Sequence, residues 1–558
     1  MKKIRIAGPP GTGKTTFLVE TFYNSIQDYS IADILVISHT RAAANHIRDE
    51  ILSTKNIELY QKKYKKEIFY KVTAAKSALN ENVSTIHKYC KDQLKVSKDN
   101  IFEINDYNNL INSEPLFNKH TKTKTFKYIQ SLLKQHPFFK FFNFARDTVG
   151  KTREDLISYH RRLTYEERKE FKYTLPELLN LATLYTEYKT DINLHSRVGD
   201  VLDFTDMIEY YCERANDPFI KVLIVDEAQD SSVVQRQAEV KMSKNCDFFY
   251  KAGDPDQAIF EFSGADPKSF HLEFAKPEVE LKEGYRCPRV INEYCKKIIQ
   301  PIWEKFQYQR VWLPREELDE EGKRNGIVAE GEIYGLNNLK TSPYLETLVQ
   351  KLKSTKETFI FTHRAGKADN VLEFLKDQGM PMDFLGETYP FKYPKAQIKN
   401  HREFNNFVVG EKLTLSSIKK MFKEIDFKYL GFKYSEDNMD LINPGSYTID
   451  YFIKNNYLIS DVKKTTNFQD INKPVSFKMQ NYIKKIVDND RDLDSPRIFV
   501  ANIHKIKGLE YDNVILDQKL TRPESFFTKI RLKFVACSRA KKSLFLIKSS
   551  SNQKGLTL

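Results

Sequence analysis

Apolar residues along this chain recur at two periods. Short runs alternate or are apolar throughout, as parallel strands covered on both faces require: residues 3–7 (KIRIA), 34–38 (ILVIS), Val222–Val225 (VLIV) and 248–251 (FFYK). Between the first two, Phe17, Leu18, Thr21 and Phe22 fall at helical spacing within residues 15–27, so a strand, a glycine-rich turn and a helix follow one another. Residues 83–87 (VSTIH) read as a further strand. From about 91 to 199 the pattern changes to lysine-rich, aromatic helical stretches such as 126–144 and 175–193, which predicts a helical insertion into the first sheet domain. Strands alternating with helices predict an α/β fold.

Composition narrows the partners. The 558 residues carry a formal net charge of +14, with 13% aromatics, which fits a polyanion with stackable bases. Lysine drift in an AT-rich genome would give a similar charge. The six cysteines form no C-x-x-C pair and no histidine pairs supply metal-ligand spacing around them, so they read as reduced thiols of a cytoplasmic protein. No apolar run approaches the roughly 18 residues of a membrane span, and no signal peptide is expected.

The chemistry concentrates at strand ends. Residues 8–16 (GPPGTGKTT) fit G-x-x-x-x-G-K-[ST] through Gly8, Gly13, Lys14 and Thr15, with Pro9, Pro10, Gly11, Thr12 and Thr16 completing the stretch. After a strand and before a helix, such a loop turns backbone N–H groups toward phosphate oxygens, while Lys14 reaches the outer phosphates and Thr15 holds Mg²⁺. In KVLIVDEAQD (221–230) two acids follow an apolar strand: Asp226 is placed to hold Mg²⁺ through water, and Glu227 to orient and deprotonate the water that attacks the γ-phosphate. In GDPDQ (253–257) Gln257 is placed to sense the γ-phosphate, and Phe260 and Phe262 follow as either stacking platforms or core.

Together these stretches resemble superfamily 1 DNA helicases of the UvrD/Rep/PcrA type, and further blocks follow in that family's order. SHTRAAANHI (38–47) is similar to motif Ia, STIH (84–87) to motif Ib, DFTD (203–206) to the D-F-D-D element, and LKEGYRC (281–287) to L-x-x-N-Y-R-S. TFIFTHR (358–364) resembles the strand and arginine of motif IVa, NIHKIKGLE (502–510) motif V, and RLKFVACSRA (531–540) motif VI. The resemblance implies two RecA-like parallel-sheet domains, each with an insertion: residues 1–90 and 200–282 with insertion 91–199, and residues 283–385 and 491–558 with insertion 386–490. It implies ATP and Mg²⁺ as cofactors, Tyr285 against adenine, Arg286 and Arg539 at the γ-phosphate, and Glu510 near the ribose. Thr85, His87, Phe260, Phe262 and His504 are implied as strand contacts.

Several positions depart from the family pattern. Gly284 stands for the usual Asn, Cys287 for Ser, Ser263 for Arg and Asn502 for Thr, and Ser38 occupies the place of a stacking aromatic, with His39 or His46 as substitutes. The phosphate loop begins at Gly8, so no counterpart of the family's upstream glutamine is expected and Tyr285 is expected to carry more of adenine recognition. The expected activity is an ATP-dependent helicase or translocase moving 3′ to 5′ on single-stranded DNA and unwinding duplex at single-strand/duplex junctions. Alternatives are the motor of a nuclease or defence complex and an RNA-directed helicase, with a protein partner in replication, repair or defence left open. An ATP-operated binding switch is disfavoured by the acid pair and both arginines.

Overall fold

The computed structural model describes residues 1–64, 72–119, 136–191, 200–274, 276–354, 356–363, 369–385, 394–423, 439, 441–455, 457, 476–488, 497–518 and 525–548. Arg364 and parts of the helices expected over 126–144 and 175–193 lie outside these residues. The chain divides into two compact units, 1–329 with 524–538 and 330–523 with 539–558.

The first unit is built on six parallel strands: β1 (Lys2–Ala7), β2 (Ile34–Ser38), β3 (Val83–Thr85), β4 (Val222–Val225), β5 (Phe248–Gly253) and β6 (Val279–Glu280), in the order β3-β2-β4-β5-β1-β6. Both faces are covered, and the pleat shows why. Ile34 and Val36 of β2, with Val222 and Ile224 of β4, enter a core with Leu18, Phe22 and Ile47. Their neighbours Leu35, Ile37, Leu223 and Val225 enter another with Ile86, Ala238 and Phe270. A strand that feeds two cores must be apolar at every position, hence ILVI and VLIV. The strand expected over 83–87 ends at Thr85, whose Oγ1 accepts from the Lys88 N–H at 3.3 Å and caps a helix, Ile86–Gln93. An N-cap threonine overrides the β-propensity of the residue that follows it. β7 (Glu316–Leu318) and β8 (Arg324–Val328) form an antiparallel hairpin.

The stretch between β3 and β4 is helical in its described parts and has its own aromatic core, with Phe138, Phe139, Phe142 and Tyr185 at its centre. A buried ion network joins it to the helix Phe204–Arg214. Arg146 donates to Asp203 at 2.8 Å, Asp206 at 2.6 Å and Glu209 at 2.9 and 3.2 Å, and Lys189 donates to Asp203 at 3.0 Å and Asp206 at 2.6 Å. Asp203 also caps that helix through the Asp206 N–H at 2.8 Å.

The second unit has another six-stranded parallel sheet: β9 (Glu332–Leu336), β10 (Phe359–His363), β11 (Asp383–Phe384), β14 (Ile498–Asn502), β15 (Tyr511–Asp517) and β16 (Ala540–Ile547), ordered β11-β14-β10-β15-β16-β9. Between β11 and β14 in sequence, β12 (Leu413–Thr414) pairs antiparallel with β13 (Ser446–Tyr447) beside an apolar cluster of Phe404, Phe407, Phe422 and Phe452. Two parallel sheets with helical crossovers make the chain an α/β protein of tandem RecA-like type.

Candidate nucleotide site

The glycine loop leaves β1 at the carboxyl edge of the first sheet and runs into the helix Lys14–Ser25. Gly11 and Gly13 have φ of +69° and +82°, which glycine adopts without steric cost. A Cβ on Gly11 would come within 2.5 Å of the Arg286 Cβ, and the Tyr285 N–H donates to the Gly11 carbonyl at 2.8 Å. Tyr285 and Arg286 therefore lie directly against the loop, within the first compact unit. Thr12 Oγ1 donates to the Pro9 carbonyl at 2.8 Å; Pro9 and Pro10 are buried, Thr15 is half-buried and Thr16 exposed. Lys14 folds back over the loop, its Nζ donating to the carbonyls of Gly8 at 2.7 Å and Pro9 at 3.2 Å. Burial pushes the Lys14 pKa down, while the carboxylates of Asp254, Glu227 and Asp226 work to keep it charged, so the acid cluster stands close to the lysine.

The acids come from the ends of β4 and β5. Buried Asp226 is fixed by its own N–H, which donates to the Ile37 carbonyl on β2 at 2.9 Å, and its Oδ1 accepts from the Glu227 N–H at 2.9 Å. Glu227 has φ of +52°, a left-handed backbone that is uncommon outside glycine and turns the half-buried carboxylate off the line of the strand. Gln229 then bridges the two strand ends: its Nε2 donates to Glu227 Oε2, and its Oε1 accepts from the Asp254 N–H at 3.0 Å. Asp254 Oδ2 in turn accepts from Gln257 Nε2 at 2.6 Å. Gly253 is needed for this closeness, since a Cβ there would lie 2.7 Å from Gln229 Oε1 and 2.6 Å from the Phe270 ring. Behind the turn, Asp256 accepts from Trp303 Nε1 at 2.8 Å and from the Tyr308 hydroxyl, and burial beside Asp254 pushes its pKa up to about 6.

The donor set suits Mg²⁺. Thr15 and Asp226 offer hard oxygens, and among the described residues no group of three or more His, Cys, Asp or Glu forms a cage. Mg²⁺ habitually takes one or two protein oxygens and completes its shell with phosphate and water.

Exposed Tyr285 carries the Arg324 guanidinium 4.1 Å from its ring centroid, and Arg324 is held by Glu283 at 2.6 Å and the Gly284 carbonyl at 2.8 Å. Gly284 has a local reason to be glycine: a Cβ would sit 2.1 Å from the Leu313 carbonyl oxygen. Arg286 is buried and donates through Nη1 to the Ser538 carbonyl at 3.4 Å, as does the Cys287 thiol at 3.4 Å. In the second unit, Arg539 is buried at the start of β16 with Nη1 3.5 Å from the Leu509 carbonyl, and exposed Glu510 pairs with Lys541 at 3.5 Å.

The strand-contact residues divide. His87 packs edge-on to Phe204 at 5.7 Å, and burial lowers its pKa to about 4. Phe260 is half-buried in the turn after Gln257, and the side chain of Phe262 lies outside what the structure describes. His504 is half-buried in a turn whose cap is Asn502, which accepts from the Lys505 N–H at 3.1 Å. In motif Ia, Ser38 is buried, His39 half-buried and His46 exposed. Gln229 and Asp254 were not among the residues singled out from sequence. The available signal was that each is a polar residue two or three positions from a site residue in a quoted block.

A glycine loop, an acid pair and a glutamine at the carboxyl edge of a parallel sheet define a P-loop nucleotide-binding protein. The UvrD/REP helicase N-terminal domain matches residues 1–277 and the UvrD-like helicase C-terminal domain residues 497–547. The chain belongs to the UvrD-like helicase family. It is 32% identical over 130 residues to an ATP-dependent helicase/nuclease subunit of Ligilactobacillus salivarius, covering 22% of this chain and 9% of that protein. It is 27% identical over 204 residues to the protein of the same name from Clostridium beijerinckii, covering 36% of this chain and 13% of that one. The matched stretches thus span about a tenth of those relatives. Among the described residues no helix is long and apolar enough to cross a membrane.

Proposed function

We propose that this chain hydrolyses ATP and uses the cycle to move 3′ to 5′ along single-stranded DNA and unwind duplex at junctions. One observation carries the hydrolytic part: Glu227, Gln229, Asp254 and Gln257 form a continuous hydrogen-bonded chain beside the glycine loop and Lys14. In this reading Glu227 accepts a proton from the attacking water, and Gln229 fixes its carboxylate. Lys14 exchanges its loop carbonyls for phosphate oxygens, while Gln257 reports the γ-phosphate to Asp254. Arg286 and Arg539 supply guanidinium groups to charge developing on the equatorial oxygens, a role worth on the order of 10³ to 10⁵ in rate. Mg²⁺, held by Thr15 and Asp226, would supply charge neutralisation on the phosphates. Tyr285, backed by Arg324, presents a ring for adenine.

Residues 91–199 and 386–490 are proposed as insertions in two RecA-like domains, and Thr85, His87, Phe260, Phe262 and His504 as contacts to the strand. Thr85 doubles as a helix cap, which would fix the local backbone on which such a contact depends.

The test is steady-state ATP hydrolysis alone and with single-stranded DNA, single-stranded RNA or blunt duplex at two salt concentrations, followed by polarity on tailed duplexes. Stimulation by single-stranded DNA that fades with salt supports the motor. Equal stimulation by RNA redirects the substrate, and indifference to every nucleic acid refutes it. A second reading, the motor of a nuclease complex, is favoured by the words helicase/nuclease in the name its relatives carry. It predicts strong hydrolysis with weak unwinding until a partner is added.

A further inference from the structure

A chain of polar side chains runs through the core of the first unit, apart from the nucleotide-site residues. Lys251, in the middle of β5, is 3% exposed, and its Nζ meets Glu239 at 3.1 Å and Glu273 at 3.1 Å. Burial works against its charge, but the two carboxylates outweigh it and the pKa is raised. Glu239 uses its other oxygen to accept from Ser231 Oγ at 2.5 Å, and Ser231 Oγ lies 2.9 Å from His39 Nε2. Ser231, Glu239 and Lys251 are all buried.

Donor counting fixes the direction of this chain. A serine hydroxyl has one proton, and here it goes to Glu239, so His39 Nε2 must carry a hydrogen and donate to Ser231. The imidazole is thereby clamped in one tautomer and one orientation. His39 stands at the carboxyl end of β2, half-buried, with exposed Thr40 and Arg41 following it. Lys251 stands two residues before Gly253, on the strand that delivers Asp254 and Gln257. The chain thus runs from the residue after β2, through the turn that follows β4 and the helix Val233–Met242, to the middle of β5. Apolar residues of similar volume at Glu239 and Lys251 would fill this space without the desolvation that a buried ion pair must offset.

We propose that His39 is a positioning residue, clamped through Ser231 and Glu239 to Lys251, so that engagement of nucleic acid at the carboxyl end of β2 is transmitted to the end of β5 that holds Asp254 and Gln257. The proposal rests on the nucleic-acid-stimulated ATPase reading above. It assigns no contact with ATP to His39, Ser231, Glu239 or Lys251, and therefore separates stimulated from basal turnover.

The experiment is an ATPase titration of the full chain with oligo-dT, comparing wild type, Ser231→Ala and Ser231→Thr. Ser231→Ala removes only the central hydroxyl. It should keep basal turnover and KM for ATP within about twofold of wild type while losing about tenfold in the maximal stimulation by oligo-dT; Ser231→Thr, which keeps the hydroxyl, should recover most of it. The proposal is overturned if Ser231→Ala is stimulated like wild type, if basal and stimulated turnover fall in proportion, or if Ser231→Thr is as defective as Ser231→Ala. A wild-type enzyme that turns over ATP without responding to oligo-dT overturns the ATPase reading itself, and the proposal with it.

Discussion

Replacing Gln229 with leucine removes one side chain and cuts the link between the two strand ends that carry the acids. Gln229 is 1% exposed, donates to Glu227 and accepts from the Asp254 N–H at 3.0 Å. Leucine fills a similar volume, so the cavity term is small. The loss lies in the polar groups left behind. A buried N–H without its acceptor costs about 1–3 kcal/mol, and a hydrogen bond to a charged group contributes about 1.5–3 kcal/mol. The Glu227 carboxylate is half-buried and recovers part of its loss from water, so the fold should lose about 2–4 kcal/mol in total. The effect on chemistry is separate. Without the amide, Glu227 keeps its charge but not its aim, and misorientation of a general base by an ångström costs on the order of 100-fold. Stopped-time ATPase assays on Gln229→Leu should therefore show kcat down about 10- to 100-fold with KM for ATP within about threefold, alongside a thermal midpoint lowered by several degrees. Two results would refute the reasoning. A folded variant with wild-type kcat would show that the bridge does not hold the base, and a raised KM with unchanged kcat would move Gln229 to ground-state binding.

Other expectations follow from the same geometry. Glu227→Gln keeps size and backbone and should retain binding of a fluorescent ATP analogue while turnover falls at least 10²-fold, the low end for a general base; unchanged turnover removes Glu227 from that role. Arg146→Met leaves Asp203 and Asp206 to Lys189 and Glu209 to the more exposed Lys151, and urea denaturation should show a loss of about 3–5 kcal/mol. Gly284→Ala places a methyl 2.1 Å from the Leu313 carbonyl, so backbone must move, and a loss of about 1–3 kcal/mol in the same assay is expected. His271 is buried beside Arg531 and Arg310, and its pKa is lowered to about 3 by burial first and those cations second. It stays neutral in the fold but takes up a proton near pH 6.5 when unfolded, so its contribution is full above that pH and lost as pH falls. The stability advantage of wild type over His271→Gln should shrink by about 2 kcal/mol between pH 7.5 and 5, and a constant difference would contradict the lowered pKa.

Five strands of the first sheet were legible because their signal is local, whereas in the second sheet only 358–364 was read, and that by resemblance. Ile34, Val36, Leu35 and Ile37 declare two buried faces by being apolar at consecutive positions. The glycine loop was legible too, because its backbone needs write themselves as Gly11 and Gly13. What stayed hidden is what pairing across long separations decides. The ion network of Arg146 with Asp203, Asp206 and Glu209 joins residues about sixty positions apart, and the His39–Ser231 contact joins the residue after β2 to the turn that follows β4. No local period encodes such partners, and DFTD (203–206) carries a family resemblance without showing the cations its acids face. Thr85 shows the converse error: its β-branched neighbours favour a strand, but its hydroxyl starts a helix one residue later. Gly284, which breaks the family pattern, became intelligible only when the Leu313 carbonyl was found where a Cβ would stand.

The positive φ of Glu227 sets stability and chemistry against each other at a single position. Glycine there would relieve a left-handed backbone worth roughly 1–2 kcal/mol per residue, but it would strip the buried Gln229 amide of its carboxylate acceptor, a loss of about the same size. A library of variants sorted for heat resistance alone would therefore let residue 227 drift between glutamate and glycine, whereas one sorted for growth would hold it at glutamate. The frequencies of glutamate and glycine under the two regimes measure how far selection for the reaction outbids selection for the fold.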